Sequence, residues 1–244
     1  DLMPRIKHNY GAAPLYLFLD EIQNIPLWSK WLRRMHDTEK STWFFVSGSS
    51  SKIGREEIPT ELRGRSLERQ VYPLSFAEFN RFCPSEPDNF RKYLTYGGLP
   101  PVVLAQEGER KALIQSILEA IVKRDIIDRY GISNETGLNN TLELLFNSTM
   151  ITVSKMYNSL KSIGTEVGKT TVNKLLSYIE SSYLLRQLYL YAPSVRAKLQ
   201  YPRKTYFIDN GFLTAMSVKF GPNYSRLLEN LVYWQLYKKF GGNL

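Results

Sequence analysis

The stretch Leu15–Gln23, LYLFLDEIQ, sets the pattern of the chain. Five apolar residues run without a break into two adjacent acids, Asp20 and Glu21. So short an apolar run, ended by charge, predicts a strand buried on both faces, as in a parallel sheet between helices. Beyond Pro26, Trp28, Trp31, Leu32 and Met35 recur at i, i+3, i+4 and i+7, which predicts an amphipathic helix with Lys30, Arg33 and Arg34 turned outward. Thr42–Ser47, TWFFVS, is a second buried-strand segment, followed by GSSSK. Strand, helix and strand in so short a span predict a βαβ unit with parallel pairing and a right-handed crossover. Residues 1–14 carry no start signal and read as a loop.

Further along, LERQVYPL reads as a mixed strand, and SFAE is a capping box in which Ser75 and Glu78 exchange hydrogen bonds at a helix start. A helix from about Asp88 stops at the Gly97-Gly98-Leu99-Pro100-Pro101 breaker. Arg110–Arg129 predicts a long helix on the stripe Leu113, Ile114, Ile117, Leu118, Ile121 and Val122, with a domain boundary at 131–137. Three helices follow, near 138–149, 153–163 and 169–183, and then two strands, RQLYLY and KTYFID, around a basic loop. Three helices and a hairpin is the order of a winged helix-turn-helix. In the third helix Val172, Leu175, Leu176 and Ile179 face inward, while Thr170, Lys174, Ser177 and Ser181 share the other face. A last helix covers about Tyr224–Phe240.

Composition narrows the class. Of 244 residues 43% are hydrophobic, enough for packed cores and against wholesale disorder. The one cysteine, Cys83, excludes a disulfide framework. No apolar run is long enough for a membrane span, and the start lacks the apolar stretch of a signal peptide; both point to a soluble, cytoplasmic protein without a membrane partner. The net charge of +9 lies almost wholly beyond residue 110, with nine basic residues between Lys155 and Lys204 against two acids, Glu166 and Glu180. Such a local excess either attracts a polyanion or forms a solvated basic face. His8 and His36 stand far apart, which argues against a metal site built on histidine, and the many Trp and Tyr residues read as packing residues.

The candidate chemistry collects at strand ends, where parallel sheets bind ligands. Asp20 could hold magnesium while Glu21 orients and deprotonates a water attacking a terminal phosphate. The hydroxyls of Ser47, Ser49 and Ser50 would emerge beside Asp20, or simply satisfy their own turn. Arg63 and Arg65 follow a short helix, where an arginine could neutralise transition-state charge or lie idle on the surface.

Taken in order, LYLFLDEIQNIPLWSKWLRRMHD, FFVSGSSSKI, ELRGRSLERQVYPLSFAEF, YGGLPPVV and IVKRDIIDRY resemble one family of prokaryotic AAA+-type ATPases. Its members join a P-loop ATPase core to a winged helix and a C-terminal domain similar to restriction-type nucleases. The resemblance implies ATP and Mg2+ as cofactors, LFLDE as the Walker B strand with Asp20 on magnesium and Glu21 as base, and Ser47 or Ser49 at the sensor position. It also implies Arg65 as a finger-type arginine, Pro100 packed on adenine, and Glu229 at the first acidic position of the nuclease-like domain. The fold expected is α/β: a partial AAA+-like parallel sheet over 1–82, a helical lid over 83–130, a winged helix over 131–210 and the start of a nuclease-like domain over 211–244.

Two departures qualify this. No GxxxxGK[ST] occurs in residues 1–244, so nothing here supplies the backbone cradle and lysine for the β- and γ-phosphates. The acids and lysine of the nuclease-like core are also missing. The sequence therefore reads as an internal piece of a longer protein, itself without ATP hydrolysis. Its expected role is the central part of an ATP-dependent switch, with ATP/ADP and a second copy or another protein as partners. The alternatives are a module gripping double-stranded DNA through Lys169, Thr170, Lys174, Arg196, Lys198, Arg203 and Lys204, or a winged helix that contacts protein only.

Overall fold

A computed structural model describes residues 2–11, 14–49, 62, 64–84, 87–192, 194, 201–216 and 223–240. The chain divides into two compact units, 1–70 and 71–244, each of which is treated by itself.

The first unit opens with a helix, α1 (Leu2–Tyr10), where the sequence predicts a loop. Pro4 is no obstacle to it, because a proline in the first turn removes no helical hydrogen bond. Met3 is buried, Lys7 pairs with Glu39 at 2.5 Å, and Gly11 closes the helix with φ +80°. Next come β1 (Leu15–Leu19), α2 (Trp28–Thr38) and β2 (Thr42–Val46). The strands pair in parallel, Leu15 with Thr42 through Leu19 with Val46, and so form the expected βαβ unit. The predicted stripe of α2 holds: Trp28, Leu32 and Met35 are buried, and Trp28 and Leu32 cluster with Ile22 and Leu62 under the sheet.

Burial of the strands on both faces does not hold among the described residues. Along β1 and β2 exposure alternates, and Tyr16, Phe18, Trp43 and Phe45 stand open on one face. Phe18 and Phe45 stack there at 4.8 Å. The apolar run hid this period-2 pattern because both faces carry hydrophobic residues.

No strand forms over 67–74, which spans the end of the first unit and the start of the second, and Leu67 and Val71 are exposed. The capping box is present: the Glu78 N–H donates to Ser75 Oγ and the Ser75 N–H to Glu78 Oε2, starting α3 (Phe76–Phe82). Then follow α4 (Asn89–Tyr96), α5 (Pro100–Leu104) and α6 (Glu107–Ala120). The last continues not as α-helix but as a π-helical segment, Ile121–Asp128. There Asp125, Ile126 and Ile127 are all buried, and Arg129 donates to Asp125 at 2.9 Å.

Three helices, α7 (Glu135–Asn147), α8 (Val153–Ser162) and α9 (Lys169–Ser181), are interleaved with a small antiparallel sheet whose first strand lies between α7 and α8. Its strands β3 (Met150–Ile151), β4 (Leu185–Leu188) and β5 (Arg203–Phe207) take the order β3-β5-β4. The chain continues through α10 (Asn210–Ala215) and α11 (Tyr224–Phe240). Val172, Leu175, Leu176 and Ile179 of α9 are buried as predicted.

One hydrophobic cluster runs from Leu94 and Val102 through Ile114, Leu145 and Ile179 to Phe207 and Leu227, so elements from α4 to α11 share a core. Polar contacts join the same elements. Asp209 accepts from the Gly98 and Gly211 N–H groups, Asn210 donates to the Leu94 and Leu227 carbonyls, and Asn230 donates to the Phe207 carbonyl. Arg226 reaches from α11 to the carbonyls of Leu145, Phe146 and Ser148 at the end of α7.

Candidate functional site

The first unit gathers four of the predicted residues at the carboxyl ends of its strands. Because Leu19 lies opposite Val46, the next residues, Asp20 and Ser47, are neighbours. The Ser47 N–H donates to the Leu19 carbonyl at 3.0 Å, and the Ile22 N–H returns to the Ser47 carbonyl at 3.2 Å. This backbone exchange locks the two strand ends together, and the Ser47 hydroxyl donates to the Asp20 carboxylate. The chain then turns sharply: Glu21 is left-handed, with φ 48° and ψ 43°, and a short 3-10 turn, Ile22–Asn24, follows. A non-glycine residue in that region costs roughly 1–3 kcal/mol, and such strain concentrates at functional sites. The turn points Glu21 to the same rim as Asp20, where Ser49 Oγ donates to Glu21 Oε2 at 3.1 Å.

Sequence reasoning passed over Gln23. Its Nε2 donates to the same Glu21 oxygen as Ser49, while its Oε1 is buried with no hydrogen-bond partner among the described residues. The signal was present as a carboxamide two residues after the acid, but only the turn brings the two together.

Magnesium takes near-octahedral oxygen ligands, commonly one or two protein carboxylates completed by water and phosphate. An exposed Asp20 with a serine hydroxyl beside it fits that donor chemistry. Among the described residues no group of three or more His, Cys, Asp or Glu side chains could hold a metal by itself. The remaining ligands would have to be water and substrate oxygen.

Arg65 lies in the same unit but is not drawn to this rim. Its Nε donates to Asp37 at 3.1 Å, and His36 and Arg65 together hold the exposed Asp37 carboxyl below its usual range. Pro100 belongs to the second unit, exposed at the first position of α5, where a proline is well placed. A small pocket in that unit, about 30 Å3 in volume, is lined by Pro73, Gly97, Asp209, Asn230, Trp234 and Lys238. It has room for a water or two and is far too small for a nucleotide.

The basic residues divide. Lys169, Thr170 and Lys174 are exposed in the first half of α9. Arg203 instead donates to Gln187 at 3.1 Å and lies over the Tyr189 ring, and Lys204 pairs with Glu229 at 2.5 Å. Lys204 and Tyr206 hold the Glu229 carboxyl below its usual range. Arg63, Arg196 and Lys198 lie outside the described residues. No helix among the described residues is long and apolar enough to cross a membrane.

Known proteins resemble this chain in two stretches. Residues 2–80 match the family described as "AAA domain", so the first unit is AAA-like and related to ATPases of that kind. An uncharacterized protein of Methanocaldococcus jannaschii is 32% identical over 239 residues, covering 91% of this chain and 53% of the relative. One from Haemophilus influenzae is 28% identical over 233 residues, covering 92% of this chain and 58% of the relative. The chain thus spans little more than half the length of these curated relatives. Over residues 87–223, more than half of its length, it matches the family described as "Domain of unknown function (DUF8612)", and to that family, behind an AAA-like unit, the chain belongs.

Proposed function

We propose that these residues are the central part of an ATP-dependent switch and that the strand-end rim of the first unit is half of its nucleotide site. The observation that carries this is the pairing of Asp20 with Ser47 and of Glu21 with Ser49 across adjacent parallel strands. Two acids with separate hydroxyl partners suit two separate tasks. Asp20 binds Mg2+ with water and phosphate, and Glu21 takes the proton of the attacking water. Ser49 holds the Glu21 carboxylate, and Ser47, its hydroxyl hydrogen given to Asp20, holds that second carboxylate for the metal. Arg65 serves as the finger-type arginine after leaving Asp37, and Pro100 contacts adenine; both assignments rest on the motif resemblance. The phosphate cradle lies in a part of the protein other than these 244 residues.

In the second unit, three helices and a three-stranded antiparallel sheet, its first strand lying between the first two helices, support a winged helix over 131–210, between a lid at 83–130 and a further domain beginning at 211. The shared core from Leu94 to Leu227 favours lid and winged helix responding to nucleotide as one body. Double-stranded DNA is the second reading, favoured by exposed Lys169, Thr170 and Lys174 at the start of α9. Arg203 and Lys204 already have intramolecular partners and add less to it.

The test is Glu21→Gln in the full-length gene product. Retained Mg·ATP binding with hydrolysis lowered at least about a hundredfold supports the reading. Wild-type protein that neither binds nor hydrolyses ATP, or a reading frame without GxxxxGK[ST], refutes it.

A further inference from the structure

We propose that the open aromatic face of β1 and β2 seats the helix that follows the phosphate cradle, a segment of the protein outside these 244 residues, an inference that rests on the ATPase reading of the strand-end rim. In the strand register Tyr16 lies beside Trp43 and Phe18 beside Phe45, so four rings form one continuous patch. Tyr16 and Trp43 are each 62% exposed, Phe18 75% and Phe45 46%. The opposite face is taken. There Leu19, Phe44 and Val46 pack toward Trp28, Trp31 and Leu32 of α2, with Trp31 edge-on to Phe44 at 6.1 Å. Parallel strands normally carry helices on both faces, and a contiguous apolar patch on a soluble surface marks a place that another element covers.

Direction selects the occupant. A P-loop joins a strand to a helix through GxxxxGK[ST], and the phosphates sit on the N–H groups at the start of that helix. Asp20 and Glu21 act on the same phosphates, so the helix starts at the carboxyl ends of β1 and β2. Its apolar stripe is buried by running back along the sheet, antiparallel to the strands. With α2 on one face, the aromatic face is the one open to it. The helix then crosses Phe18 and Phe45 first, nearest the rim, and Tyr16 and Trp43 after them. The dimensions agree. Each strand has five residues. That is about 17 Å of sheet, which roughly eleven residues of helix cross. The curated relatives leave room for such a segment, since the matched region is 53% of one and 58% of the other. Phe18 stands two residues before Asp20. A helix packed on its ring therefore holds the cradle at a set distance from the carboxylate that binds Mg2+.

The test uses the full-length protein and needs one variant. Wild type is exposed to hydroxyl radicals, and oxidation of each ring is read by mass spectrometry against the urea-unfolded chain. Tyr10, 74% exposed in the same unit, is the reference. Phe18→p-benzoylphenylalanine, which keeps an aromatic ring at the position, is photolysed and its cross-linked peptide identified. The expected result is protection of Phe18 and Trp43 about tenfold greater than that of Tyr10, because a packed interior excludes solvent. The expected cross-link is to the helix after GxxxxGK[ST]. Rings oxidised as readily as Tyr10, or a cross-link into residues 71–244 or a second copy, overturn this seat, while ATP hydrolysis by wild type keeps the ATPase reading. The expected cross-link in a protein that neither binds nor hydrolyses ATP upholds the seat and overturns the ATPase reading. A reading frame without GxxxxGK[ST] overturns both.

Discussion

The Asp209 carboxylate accepts the N–H of Gly98 at 2.7 Å, a bond between residues 111 positions apart. It places a fully buried acid against the turn that precedes Pro100 and against the first turn of α10, whose Gly211 N–H donates to the other oxygen at 2.8 Å. Burial pushes this carboxyl up from 3.8 to about 6, against the opposing pull of the two N–H groups and the charge of Lys238. A folded value above the unfolded one means that the associated stability is complete below about pH 4 and lost as the pH rises through about 6. The expected size is about 3 kcal/mol. Urea unfolding of wild type and Asp209→Asn between pH 4 and 7 should show this slope in wild type only. Parallel profiles would mean that Asp209 does not titrate in that window.

Gly98 tolerates no side chain. A Cβ there would meet the Leu74 carbonyl oxygen at 2.3 Å, and that contact is backbone that cannot swing away, since the Leu74 N–H bonds to the Gly98 carbonyl at 2.8 Å. Gly98→Ala is expected to destabilise the second unit by about 2–4 kcal/mol, read as a lowered urea midpoint with an unchanged slope.

Arg226 satisfies carbonyls that the end of α7 leaves open. Arg226→Met keeps the stem but no donor and should cost about 2–3 kcal/mol. Arg226→Lys should recover only part of this, because an ammonium lacks the planar fork that reaches several oxygens at once. Equal stability of the Met variant and wild type in thermal unfolding would show that water replaces the guanidinium without cost.

Charge reversal tests the nucleic-acid reading. Lys169→Glu with Lys174→Glu should lower affinity for a random duplex and reduce the slope of log affinity against log salt by about two. An unchanged slope would remove α9 from phosphate contact and leave a protein partner for this region.

What the sequence disclosed was mostly local. The α2 stripe and the Ser75–Glu78 box lie within one or two helical turns, where spacing alone decides which side chains meet. The Asp20–Ser47 neighbourhood was legible because parallel strands of equal length bring their ends together. Asp209 was passed over, although an Asp-Asn-Gly following a strand is a helix-start signal; its distant partner Gly98 had no trace in the local pattern. The breaker at Gly97-Gly98 read only as a stop, whereas a Cβ on Gly97 would collide with the Asp209 carboxyl. Gln23 was invisible because the left-handed turn at Glu21, not any periodicity, aims its side chain. LERQVYPL shows the opposite error, in which β-prone composition without a neighbouring strand formed none.

The π-helical segment Ile121–Asp128 makes this point of the chain a forgiving one in length. Each wide turn accommodates one residue more than an α-turn. In regular α-helix the loss of one residue rotates everything after it by roughly 100°. Here rewinding to α-form adds rotation in the opposite sense and offsets much of that loss. The Arg129–Asp125 pair and the stacking of Tyr130 on Tyr178 at 3.9 Å therefore survive a one-residue deletion inside the segment better than one in α6.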